Sequence, residues 1–385
     1  MYRRRGLVVL IAALGVGASS AVGALGANDN ASARAVCPGP PTGYVHCHAL
    51  VATDARGNPD ASPSPTGLSP STIKAAYNFP TSPSAGVGTT IAIVDAYDDP
   101  TAEGDLNEFS SQYGLPSCTT ANGCFKKVDQ TGRTRYPRKD AGWALEISLD
   151  IQWAHAIAPG AKILLVEASS NSFANLLAAE DYAKSHAQYV SNSWGGSEWS
   201  GEASYDSHFV QPDVSFFVSS GDAGLPAEYP SASPNVVSVG GTTLSFNADG
   251  SLKNETGWSS GGGGCSAYET ATSAQSSDGG YGQANCGGKR TTPDVSLDAD
   301  PVSGVSVYDS TSYQGRSGWF KVGGTSASSP MWAGRSAVSG AVVDPTYVYA
   351  NKITYRDITS GNNGAPCLVG FDLCSGRGSW TGTTP

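Results

Sequence analysis

The sequence predicts an α/β fold in three layers, with helices packed on a mostly parallel central sheet. Three observations carry this. Apolar runs of strand length recur at 89–94, 162–167, 190–194, 216–219 and 236–239. The clearest of them are apolar on both alternating faces, as strands covered on both sides must be. Stretches with helical spacing lie between them, and strand–helix–strand order favours parallel pairing.

The elements follow in order. Arg3, Arg4 and Arg5 precede an uncharged apolar stretch, Gly6 to Val22. Ala31-Ser32-Ala33 and Ala33-Arg34-Ala35 then fit a small-x-small cleavage rule, so residues 1–35 read as a secretory signal peptide. Residues 36–67, rich in Pro, Gly, Ser and Ala, read as an irregular leader. From Leu68 the texture changes. Leu68–Tyr77 reads as a capped helix with Pro70 in its first turn. The run Thr89–Val94 ends at Asp95 and reads as a buried parallel strand. Glu103–Tyr113 and Trp143–Ala158 read as helices, the second stopped by Pro159-Gly160. Lys162–Glu167 is a strand, Phe173–His186 a helix, and Val190–Trp194, Phe216–Ser219 and Val236–Val239 are strands. The Gly- and Ser-rich region Ser245–Tyr281 reads as long surface loops, and Ser326–Val343 as a helix. No internal repeat is visible, so residues 68–385 read as one large domain.

Composition narrows the function. The chain has 385 residues, of which 15% are charged, with 8 Trp and 17 Tyr, which argues against disorder. Its 48 glycines follow no three-residue period, which excludes collagen. The net charge of −10, with no basic cluster beyond the first residues, excludes a nucleic-acid binder. Carboxylates dominate the ionisable groups and only 5 His are present, a balance compatible with work in acid. Eight cysteines fall in local pairs, Cys37/Cys47, Cys118/Cys124, Cys265/Cys286 and Cys367/Cys374. Many connectivities are possible, and adjacent pairing is the simplest. No C-x-x-C pair occurs, so structural disulfides of an exported protein fit better than a zinc or redox site.

The strongest chemical motif is Gly323-Gly324-Thr325-Ser326-Ala327-Ser328-Ser329-Pro330. The glycines permit a tight turn. Ser326 then opens a helix whose free N–H groups can stabilise an oxyanion. The string resembles the nucleophile motif of subtilisin-like enzymes. A nucleophilic serine needs a base, yet none of His46, His48, His155, His186 or His208 lies in an H-G-T-H context. Glu146 and Asp150 offer another base. They are four apart on the predicted helix, so they share a face. Buried together they would share a proton and serve as a base in acid, where histidine is already charged. Asp222, in Ser219-Ser220-Gly221-Asp222-Ala223-Gly224, stands where subtilisins carry an oxyanion-hole Asn. Protonated, it can donate a hydrogen bond to an oxyanion.

Ser326, Glu146, Asp150 and Asp222 together resemble the sedolisin family of serine-carboxyl peptidases, whose fold is subtilisin-like. Asp150-Ile151-Gln152-Trp153-Ala154, Ala158-Pro159-Gly160-Ala161-Lys162-Ile163, Ser191-Asn192-Ser193-Trp194-Gly195-Gly196, Tyr229-Pro230-Ser231-Ala232-Ser233-Pro234, Val239-Gly240-Gly241-Thr242 and Pro293-Asp294-Val295-Ser296 extend the resemblance. It implies a secreted, acid-acting endopeptidase on polypeptide substrates, monomeric and free of the membrane once the signal is removed. Ser326 would be nucleophile, Glu146 base and then acid, Asp150 its proton-sharing partner, and Asp222 with the Ser326 amide the oxyanion hole. Ser193, Trp194 and Gly195 would line the substrate cleft. Asp95, where a subtilisin places its triad Asp, reads as structural without a His partner. The family also implies one calcium ion, held by the carboxylates of Asp357 and Asp372 and the carbonyls of Ile358, Leu368 and Gly370, with Leu368 replacing a usual Gly. Family members usually carry a prosegment of well over a hundred residues, so 36–67 would be a remnant. The competing expectation is a non-catalytic secreted binding protein on the same fold.

Overall fold

The structure, a computed structural model, describes residues 32–37, 39 and 43–382. Of the proposed signal peptide, residues 1–31 therefore lie outside the described residues. A ten-stranded sheet organises the rest. Its order is Tyr355–Arg356, Ser379–Trp380, Val295–Asp298, Val237–Phe246, Ser215–Ser219, Tyr189–Asn192, Thr90–Ala96, Lys162–Ala168 and Phe125–Asp129, with Leu252–Gly257 branching from Val237–Phe246. The seven inner pairings, from Ser379–Trp380 to Phe125–Asp129, are parallel. The Tyr355–Arg356 edge and the Leu252–Gly257 branch pair antiparallel. The α/β class with a mostly parallel sheet is what the alternating pattern requires.

Most expected elements stand within a few residues of their sequence limits. Ser69 caps the Pro70–Tyr77 helix through the Thr72 amide, and Asp140 caps Ala141–Ile157 through the Gly142 and Trp143 amides. Such caps each stabilise a helix by about 1 kcal/mol. Ala141–Ile157 packs against Thr325–Ser339, and both lie on the sheet. Every residue from Gly142 to Ile157 is buried. A helix covered on all sides has no polar stripe, which is why its sequence does not reveal a face. Phe173–Ala183 covers Thr90–Ala96 and Lys162–Ala168.

Three expectations change. The strand expected at Val190–Trp194 breaks at Ser193. Tyr189–Asn192 stays in the central sheet, while Trp194–Ser197 leaves it to pair with Glu228–Tyr229 and His46–Cys47. The region 245–281 is not mainly surface loop. It contains the strands Leu252–Gly257 and Gly264–Thr270, and Gly261 to Gly264 are buried. A Cβ on Gly262 would collide with the Ser220 backbone, so glycine there serves close chain approach rather than exposure. The leader is also not irregular throughout. Ala33–Ala35 pairs with Leu50–Ala52, which pairs with Arg316–Gly323, as does Ala61–Ser62. Strands of two or three residues are too short for a readable period, and their partners lie far along the chain.

The disulfides are Cys37–Cys47, Cys118–Cys124, Cys265–Cys286 and Cys367–Cys374, the adjacent pairing. Among the described residues no cysteine is free, and no helix is long and apolar enough to cross a membrane.

Candidate active site

Ser326 is the second residue of the Thr325–Ser339 helix. Gly324 leads into it at φ 95°, a left-handed region that disfavours side chains. A Cβ on Gly324 would also collide with the His48 carbonyl oxygen and come within 2.7 Å of Asp222 Oδ2. The Ser326 amide, without an acceptor inside its own helix, donates to the His48 carbonyl at 3.1 Å. Ser326 Oγ donates to the Ser193 carbonyl at 3.4 Å.

Glu146 and Asp150 project from the buried helix and are fully enclosed. Neither carboxyl has a hydrogen-bond partner, and the same is true of Asp95. Burial raises Glu146 well above the usual carboxylate range, and the neighbouring Asp150 and Asp95 raise it further, against a lowering contribution from the Ser326 hydroxyl. Burial and Asp95 raise Asp150 in the same way, while Ser193 opposes the shift. Burial pushes Asp95 up to about 8. Three carboxyls thus form one coupled group behind Ser326, and protons on it are shared. Asp95, which the sequence presents as structural, belongs to this electrostatic group.

Asp222 follows the strand Ser215–Ser219. Its Oδ1 accepts the Thr325 amide at 2.7 Å, and the Thr325 hydroxyl lies 2.9 Å away. Its Oδ2 is enclosed and without a partner. Burial raises the group to about 7, even though His48 and the Thr325 contacts pull it down. A carboxyl raised this far is protonated in acid, and its unpartnered oxygen lies beside Gly324, where the His48 carbonyl also comes close.

The Ser193-Trp194-Gly195 segment is covered by a strand of this same chain. His46 pairs with Gly195 and Cys47 with Trp194, and the His48 amide donates to the Ser193 carbonyl at 3.1 Å. The Trp194 indole turns inward and donates to the Val94 carbonyl at 2.9 Å. What the segment offers on this side is backbone.

Sequence reasoning missed a buried polar cluster beside this strand. His48 is buried, with Nδ1 2.6 Å from Ser219 Oγ and Nε2 3.0 Å from Glu228 Oε2. Burial opposes charge on the ring, but Glu228 and Asp222 outweigh it and raise its pKa. Burial likewise raises Glu228, but His48 outweighs it and the net shift is downward. The pair His46 and His48 around Cys47 was the available signal.

Of the five residues expected to hold calcium, Leu368, Gly370 and Asp372 lie in the loop closed by Cys367–Cys374, Asp357 reaches that loop through the Gly370 amide, and Ile358 packs with the disulfide. Asp357 Oδ2 accepts the Gly370 amide at 2.9 Å, and Asp372 Oδ2 accepts the Leu368 amide at 2.6 Å. Asp372 Oδ1 also takes the Cys374 and Ser375 amides. Two carboxylates on one three-residue stretch form a hard oxygen set that suits calcium. A carboxylate has lone pairs enough to accept amides and bind a cation together.

The subtilase family model (Peptidase_S8) matches residues 140–348, just over half of the chain. Kumamolisin from Bacillus sp. (strain MN-32) is 31% identical over 363 residues, 83% of this chain and 63% of kumamolisin. Sedolisin from Pseudomonas sp. (strain 101) is 28% identical over 369 residues, 81% of this chain and 60% of sedolisin. The chain thus spans less than two thirds of the length of these relatives. The solved structure of Pseudomonas sedolisin, a serine-carboxyl proteinase complexed with pseudo-iodotyrostatin, superposes with a TM-score of 0.69 at 29% identity. It covers 82% of this chain and 96% of that one. The matched segment contains Glu146, Asp150, Asp222 and Ser326, and the chain belongs to the subtilase family, on its sedolisin branch.

Proposed function

We propose that the protein is a secreted, acid-acting serine-carboxyl endopeptidase. The observation that carries this is the gathering of Ser326 with three buried, partnerless carboxyls and a raised Asp222. Ser326 Oγ attacks the substrate carbonyl carbon and its proton passes to Glu146. Asp150, behind Glu146, shares the added proton. The developing oxyanion receives the Ser326 amide and the protonated Asp222. Glu146 returns its proton to the leaving amine, whose C–N bond breaks. Water, deprotonated by Glu146, then releases the acyl group from Ser326. Backbone of Ser193 and Gly195 aligns the substrate as an added antiparallel strand. Secretion is supported by the N-terminal sequence and the four disulfides.

A calcium ion would be held by Asp357, Asp372 and the carbonyls of Ile358, Leu368 and Gly370. Bound, it would tie the C-terminal loop to the sheet edge at Tyr355–Arg356.

Incubation with a denatured protein tests the function. Cleavage is expected near pH 3–5, roughly the carboxylate range, and is lost in Ser326→Ala. Absence of cleavage from about pH 2 to 6 would refute the reading.

A further inference from the structure

Three short strands form a small sheet, with Trp194–Ser197 between His46–Cys47 and Glu228–Tyr229. Residues two apart in an extended chain point to one face. His46 and His48 both turn to Glu228, with ring centroids 5.0 Å apart. The middle strand puts no side chain between them. A Cβ on Gly195 would come within 2.8 Å of the His48 ring and 3.2 Å of Glu228 Oε2. His46 Nε2 lies 3.9 Å and His48 Nε2 3.0 Å from that same oxygen. One ligand atom from each of the three residues lies within 4.8 Å of the others.

Ser219 decides which nitrogen of His48 is free. Its hydroxyl donates to the Asn192 carbonyl at 3.4 Å. Toward His48 Nδ1, 2.6 Å away, it is therefore the acceptor. Nδ1 carries the proton of the neutral ring, and Nε2 keeps a lone pair. That lone pair faces the Glu228 carboxylate at 3.0 Å. Two lone pairs so close require a positive centre between them, either a second ring proton or a metal ion. A ring pinned through its other nitrogen is the usual setting of a metal-ligating histidine. Tetrahedral zinc holds nitrogen and oxygen at about 2.0–2.2 Å, which sets its ligand atoms about 3.3 Å apart. The observed 3.0 and 3.9 Å bracket that spacing. A fourth position is open to water, because the His46 and Glu228 side chains keep 30% and 15% exposure while His48 is enclosed.

We propose that His46, His48 and Glu228 form a binding site for a divalent transition-metal ion of the zinc class, with water as the fourth ligand. Imidazole nitrogens favour such ions over calcium or magnesium, so the site differs in kind from the oxygen set at Asp357 and Asp372. It goes beyond the peptidase reading and does not rest on it, since neither histidine nor Glu228 takes part in the chemistry above. Bound, the ion would tie His46–Cys47 to Glu228–Tyr229, with His48 and Glu228 180 positions apart in the chain. The His48 carbonyl accepts the Ser326 amide, so the ion would also fix the segment that lies against that serine.

The test uses the full chain carrying Ser326→Ala, which prevents self-digestion, at about pH 7.5, where imidazole can release its proton to a metal. Excess calcium keeps the C-terminal loop out of the measurement. Calorimetric titration with zinc chloride should show one equivalent bound. X-ray absorption of the loaded protein should show two imidazoles around the zinc. His46→Ala and Glu228→Gln should each weaken binding by roughly tenfold or more, and Ser219→Ala, which unpins His48 Nδ1, by roughly tenfold. His46 is partly exposed, so its replacement leaves the core packed, and an unchanged circular dichroism spectrum verifies this. His208→Ala, which removes a ring paired with Asp181 elsewhere on the surface, should leave binding unchanged. Absence of zinc binding, equal affinity in His46→Ala, or loss of binding in His208→Ala overturns the proposal. The peptidase reading stands in each of these cases.

Discussion

Raising the pH from 4 to 7 should destabilise the fold, and Asp95 allows the effect to be sized. Asp95 is enclosed at the end of Thr90–Ala96, lacks a hydrogen-bond partner, and has its pKa raised from 3.8 to about 8. A group whose folded pKa is raised contributes stability fully below its unfolded pKa and loses it as pH climbs toward the folded one. The unfolded chain gives up this proton near pH 4, while the native protein still holds it at pH 7. At 1.36 kcal/mol per pH unit, the loss is about 4 kcal/mol. Glu146 and Asp150 shift in the same direction, so the cost belongs to the coupled group rather than to Asp95 alone. Against a typical total of about 5–15 kcal/mol, this should lower Tm by roughly 5–15 °C. The assay is thermal unfolding followed by circular dichroism from pH 4 to 8 in a Ser326→Ala background, which prevents self-digestion. Asp95→Asn should flatten the profile by about one proton. A Tm that is constant or rises over this range, or an unchanged slope in Asp95→Asn, would refute the reasoning.

The remaining predictions concern chemistry and the C-terminal loop. Asp222 must be protonated to donate, so kcat should fall as pH rises through about 7. Asp222→Asn keeps a donor at every pH and should move that limb upward, whereas Asp222→Leu should cost roughly 10²–10³ in kcat. An alkaline limb identical in Asp222→Asn would remove Asp222 from the oxyanion hole. Glu146→Gln should lower kcat by roughly 10²–10⁴ without matching loss of peptide binding, and a KM-only effect would exclude it as base. Chelation should lower Tm, and Asp372→Ala should lower it and abolish the chelator response. A Tm indifferent to chelator would show that the loop is held by its amide–carboxylate bonds alone.

Much of the fold was legible because its strands are buried on both faces and its helices alternate with them. The helix carrying Glu146 and Asp150 could be located but not oriented, since total burial erases the polar stripe that marks a face. The glycine-rich region misled because glycine serves both exposed turns and close backbone contact. At Gly262 the Ser220 backbone decides between them. The leader misled because strands such as Leu50–Ala52 are three residues long and their partner, Arg316–Gly323, is remote.

By itself the sequence determined the α/β class, the glycine turn into a helix at Gly323–Ser326, the spacing of Glu146 and Asp150, and the lack of a histidine in an H-G-T-H setting. These are local patterns, carried by residues within a turn or two of each other. Only the tertiary structure decided that Asp95 joins Glu146 and Asp150 in one electrostatic group, and that the buried His48 meets Glu228, 180 positions away. It also decided that the Ser326 amide meets the chain's own carbonyl. The reason is physical: pKa shifts and pocket chemistry arise from desolvation and from charges brought together across the fold, and no local spacing encodes which distant segments meet.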